Sequence, residues 1–129
     1  MHIVIEARSA DPKKKIISAA RYIPNIKELA ESITTNIPNI KLTIQDFAKI
    51  PFTEQVSLSH SAGVFVAMHG AGATHIMNMA VGKKNCCAMV ELQPDRANGE
   101  MIYHAPVSLT EVKHNNMMHY YYYGNTDTK

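Results

Sequence analysis

Apolar residues fall in short runs along this chain, and the period changes from one run to the next. Residues 2–7 read HIVIEA, a β-branched strand pattern that stops at Arg8-Ser9 and Asp11-Pro12. Ile26, Leu29, Ala30 and Ile33 then recur at helical spacing, with Asn25 placed to cap the helix and Asn36-Ile37-Pro38-Asn39 to end it. Residues 40–44 alternate Ile, Leu and Ile with Lys and Thr, the pattern of a strand nearer a sheet edge, and Pro51 starts the next element. Thr53 is placed as the N-cap of a helix to about Ser61, whose apolar face at Val56 and Leu58 is modest. Residues 64–68 are apolar on both faces, as in a central parallel strand covered from both sides. Beyond His69, Ile76, Met77, Met79 and Ala80 predict a buried helix ended by Gly82, and residues 86–92 a second central strand. Residues 93–100 read as a polar loop, residues 101–116 fit no single element, and residues 120–123 predict a last strand. Strands alternating with helices predict one three-layer α/β domain with a parallel sheet, right-handed connections, and strands 64–68 and 86–92 side by side.

Composition narrows the class. A chain of 129 residues with 46% hydrophobic and 19% charged residues is expected to form one compact core. A net charge of +2 is too small to argue for a nucleic-acid partner, and the one basic run, Lys13-Lys14-Lys15, reads as a solvated loop. The two cysteines, Cys86 and Cys87, are adjacent, a spacing that cannot hold zinc by itself and rarely forms a disulfide. Both read as reduced residues at the start of a buried strand. No apolar run approaches the roughly 20 residues of a membrane span, and the N-terminus lacks the apolar centre of a signal peptide. Localisation stays open, because a piece of a longer secretory protein has the same composition.

The chemistry concentrates in one turn. His69-Gly70-Ala71-Gly72-Ala73-Thr74 lies between a buried strand and a helix, where glycines let a phosphate approach free helix N–H groups. Close packing of strand on helix explains the glycines equally well, and the third glycine and the acidic residue of the dinucleotide fingerprint are missing. His69 has two readings: a donor to a phosphate or sugar oxygen, or an imidazole bonded to neighbouring backbone. His75, further on, reads as packing. Glu91 ends a buried strand, where a carboxylate is costly unless something uses it, and a ribose diol is a bidentate partner. Arg8 ends the first strand, where its planar fork reaches a diphosphate or makes a surface salt bridge. Arg8, His69, Gly70, Gly72, Thr74 and Glu91 are expected to converge on one cleft at the carboxyl ends of the strands.

The same residues carry a family resemblance. Glu54-Gln55-Val56, the run Ala62-Gly63-Val64-Phe65-Val66-Ala67-Met68 leading into His69-Gly70-Ala71-Gly72-Ala73-Thr74-His75, and Met89-Val90-Glu91-Leu92 before Pro94 together resemble glycosyltransferase family 61. The resemblance implies a metal-independent, inverting transferase of the two-domain GT-B type, with this chain similar to its Rossmann-like, donor-binding C-terminal half. It implies a UDP-sugar as donor substrate and no other cofactor, a glycan or glycoprotein acceptor, and the lumen of the Golgi or endoplasmic reticulum. Carried over by position, Arg8 and the turn His69-Gly70-Ala71-Gly72 face the diphosphate and Glu91 the ribose, with Thr74 also among the donor-binding residues. Ala73 departs from the pattern, standing where a bulkier Leu or Met is common, with an expected effect on the pocket wall. The resemblance implies an N-terminal Rossmann-like half that would supply acceptor contacts and the general base and that is expected to lie outside this sequence. The competing reading is a non-catalytic nucleotide-binding module or a degenerate transferase fragment.

Overall fold

The computed structural model describes residues 1–8, 22–84, 86–93 and 118–123. Lys13-Lys14-Lys15 and residues 94–116, for which a loop and an ambiguous segment were expected, lie outside them. The elements run β1 (His2–Glu6), α1 (Ile26–Asn36), β2 (Lys41–Gln45), a short 3₁₀ turn (Phe47–Lys49), α2 (Phe52–Ser61), β3 (Val64–Met68), a 3₁₀ helix (Ala71–Asn78), β4 (Ala88–Gln93) and β5 (Met118–Tyr123).

The strands form one five-stranded sheet in the order β2-β1-β3-β4-β5, with every pairing parallel. The chain steps outward from β1 to β2 through α1, then crosses back over β1 to β3 through α2. That reversal makes a doubly wound sheet with its switch point between β1 and β3. Ile3, Ile5, Val66 and Met68 face Ile26, Leu29 and Ile33 of α1. Val4, Phe65, Ala67 and Met89 face the other layer, packing with Phe47, Ala62, Ala73, Ile76 and Met79. The three layers and the neighbouring parallel strands β3 and β4 follow the sequence pattern, and so does β2 as an edge strand, with Ile44 40% exposed.

Several boundaries differ. Helix α2 is capped by Pro51, not Thr53: the proline ring holds φ at −59°, and the Pro51 carbonyl accepts from the amides of Glu54 and Gln55. Asn25 does stand at the N-cap of α1, but its side chain makes no cap bond. The buried helix expected up to Gly82 is a 3₁₀ helix of eight residues that stops at Asn78, where Met79 turns extended. Its small residues allow the tighter winding to lie close on the sheet. Met77, expected on its buried side, is 66% exposed, and Ala73, expected in a pocket wall, is a core residue beside Phe65 and Ile76. Strand β4 begins at Ala88, two residues after the expected start. Cys86 and Cys87 are not reduced thiols but pair as a disulfide across a cis peptide bond.

Candidate functional site

The carboxyl ends of β1, β3 and β4 meet at one rim. Glu6 is the register partner of Ala67, and Ala67 of Glu91. In parallel strands register partners point to the same face, so two acidic residues stand in one row, their backbones about 10 Å apart across a single alanine. Val4, Phe65 and Met89, two residues earlier on each strand, form the apolar floor on that face. Both carboxylates are buried, Glu6 at 4% and Glu91 at 1% exposure.

Each carboxylate has a cationic or titratable neighbour. Glu91 Oε1 accepts from His69 Nδ1 at 2.5 Å, and the His69 amide extends the ladder by donating to the Leu92 carbonyl at 2.7 Å. A proton on Nδ1 makes Nε2 the acceptor of the neutral ring. The imidazole is therefore bonded to a side chain across the strand boundary. On the other side of Ala67, Glu6 Oε1 lies 3.6 Å from Arg8 Nε. Arg8 thus has its ion pair, with a buried partner.

The turn between these two pairs is fixed by its glycines. Gly70 has φ 141° and ψ −164°, a conformation that only glycine adopts without strain. Gly72 has a different reason: a Cβ built there falls 2.6 Å from Glu6 Oε2 and 2.9 Å from its Cδ. The glycine lets an anion approach, and the anion in contact with it is this protein's own Glu6. Thr74 is half-buried one turn into the 3₁₀ helix, and Ala71 opens that helix. His75 packs edge-on against Phe47, with ring centroids 4.9 Å apart, as the packing reading expects.

The structure therefore brings His69 and Glu91 together, and it brings Arg8 to Gly72 through Glu6, at the switch point between β1 and β3. Glu6 escaped the sequence reading, although the period-two pattern of residues 2–6 already places it on the face of Val4. The Glu54-Gln55 pair is not part of the rim. Glu54 is exposed, while Gln55 donates from Nε2 to the carbonyls of Phe47 at 2.8 Å and Ile50 at 3.0 Å. It ties α2 to the preceding turn. Among the described residues, no group of three or more His, Cys, Asp or Glu is placed to hold a metal ion, and no helix is long and apolar enough to cross a membrane.

Comparison with known proteins gives the chemistry a context. The family model for glycosyltransferase 61 matches residues 5–87, from β1 to the cysteine pair. The chain is 31% identical over 78 residues to the EGF domain-specific O-linked N-acetylglucosamine transferase of Gallus gallus, a match covering 60% of this chain and 13% of that protein. It is 34% identical over 59 residues to the protein of the same name from Xenopus laevis, covering 44% of this chain and 11% of the relative. This chain thus corresponds to a small part of either relative. No solved structure matches.

Proposed function

Since the chain belongs to glycosyltransferase family 61, we propose that it is the donor-binding, Rossmann-like half of a two-domain transferase and takes a UDP-sugar at the rim of β1, β3 and β4. The observation that carries this reading is the position of Arg8 and the glycine turn on either side of the switch point, where open α/β sheets hold nucleotides. Arg8 and the amides of the turn at Gly70, Ala71 and Gly72 bind the diphosphate, with Thr74 beside them. Glu91 holds the imidazole of His69 in one orientation, and this pair meets the ribose side of the donor.

Inverting transfer needs a base that deprotonates the acceptor hydroxyl and a clamp that stabilises the charge developing on the leaving diphosphate. The rim supplies the clamp, independently of a metal ion. The base and the acceptor contacts belong to a partner half, so that the glycosidic bond is made in the cleft between the two halves. The names of the relatives make UDP-N-acetylglucosamine the first donor to try and a glycoprotein the acceptor class, in the lumen of the secretory pathway.

Calorimetric titration with UDP, UDP-N-acetylglucosamine, UDP-xylose and UDP-arabinose tests the reading. A charged hydrogen bond is worth roughly 1.5 to 3 kcal/mol, so Arg8→Ala is expected to weaken UDP binding by about tenfold or more. Because the buried Glu6 loses an ion-pair partner in this variant, its melting temperature is measured first and binding is compared for the folded protein. Folded wild type that binds none of the four ligands would replace this reading with a module that keeps the fold without the function.

A further inference from the structure

Glu6 is the residue of the rim to which the donor-binding reading gives no task. It is 4% exposed, its Oε1 lies 3.6 Å from Arg8 Nε, and its Oε2 fills the space that a Cβ at Gly72 would take. It touches both elements to which that reading assigns the diphosphate. We infer that Glu6 is an internal anion that competes with the donor's diphosphate for Arg8 and the glycine turn, and so sets the affinity for the donor. The inference rests on the donor-binding reading.

At Arg8 and the glycine turn, Glu6 acts through two opposed terms. Glu6 orients Arg8, but their contact of 3.6 Å is longer than a hydrogen bond and the arginine end of it is 31% exposed, so it holds the guanidinium only loosely. A diphosphate bound at the Gly72 turn would lie beside the carboxylate that already touches that turn, and like charges so close in a partly dry site oppose one another by about tenfold or more. Repulsion outweighs orientation. Removing the charge of Glu6 therefore tightens diphosphate binding, whereas a purely structural role predicts a looser and weaker site.

The test is Glu6→Gln, which keeps the volume, with Glu6→Met as a second neutral variant of similar length. Each is melted, then titrated with UDP and with uridine, which has no phosphate. Both variants are expected to bind UDP about tenfold more tightly than wild type, with uridine affinity unchanged and melting temperature equal or lower. Unchanged or weaker UDP binding by either folded variant overturns the role of Glu6 and leaves the donor site standing. Equal tightening of UDP and uridine also overturns it, since that reports a change of pocket shape. Folded wild type that binds neither ligand overturns the donor site and this inference together.

Discussion

His69 Nδ1 lies 2.5 Å from Glu91 Oε1, which joins the end of β3 to the end of β4 by a side-chain bond next to the glycine turn. A carboxylate exposed by only 1% depends on such a partner, because an unsatisfied buried acceptor costs about 1–3 kcal/mol. His69→Ala and Glu91→Ala are each expected to destabilise the domain by about that amount. Because they remove one shared bond, the double variant should cost less than the sum, with a coupling of roughly 0.5–3 kcal/mol. Urea unfolding of the four proteins measures it, and strict additivity would show that the pair contributes nothing jointly.

Gly72 and Glu6 give a second cycle. Adding a methyl at Gly72 displaces the Glu6 carboxylate, since 2.6 Å is shorter than any ordinary contact of a Cβ with oxygen. The atoms displaced are the end of one side chain, so the cost is at most that of overpacking, about 1–3 kcal/mol. Gly72→Ala should show that cost in the wild-type background and lose most of it in Glu6→Ala, where the space is vacant. The same cost in both backgrounds would mean that the turn needs its glycine for backbone reasons alone.

Gln55 predicts a change of stability without a change of binding. Its amide donates to two carbonyls of the turn before α2, Phe47 and Ile50, and it lies outside the rim. Gln55→Leu leaves both acceptors without this donor at a cost of about 2 kcal/mol. The expected outcome is a lower urea midpoint with UDP affinity intact. Weakened binding at full occupancy of the folded state would place Gln55 in the site after all.

How far the sequence carries depends on the distance over which a signal acts. Val64–Met68 was legible as a central strand because five consecutive apolar residues demand cover on both faces, and the edge position of β2 because Lys41 and Thr43 interrupt its apolar positions. Glu91 was legible as a functional candidate because a carboxylate amid Val90 and Leu92 contradicts its own strand. Glu6 follows Ile5 in the same way, but an acidic residue at the end of a strand also reads as an exit to solvent. What removes that reading is Gly72 and Ala67, more than 60 residues away, and only the sheet brings them together. The 3₁₀ winding after Gly70 was hidden for a related reason. Apolar spacing signals a buried face, while the pitch is set by how closely the helix approaches the sheet.

The acid limb of the stability curve should carry the signature of His75. Its ring is packed against Phe47 and Phe52, and burial holds its pKa below the ordinary histidine value. The Asn78 amide, 3.2 Å from Nδ1, donates to a ring nitrogen that must be unprotonated, which favours the same neutral form. In the unfolded chain the histidine takes up its proton near pH 6.5, before the folded protein does. Above that pH both states are neutral and the contribution of His75 is fully present. As pH falls from about 6.5 toward the lower folded value, the unfolded state binds the extra proton and stability is lost, at no more than about 1.4 kcal/mol per pH unit. His2 acts in the same direction, because burial and then the nearby Lys41 charge lower its pKa. The carboxylates titrate alike in wild type and in a His75→Phe variant, so the difference between the two isolates this residue. His75→Phe is expected to flatten the fall in urea midpoint between pH 7 and pH 5 by up to the slope of one proton, leaving the part due to His2 and other groups. Identical slopes in the two proteins would mean that the ring is protonated as readily in the folded state as in the unfolded one.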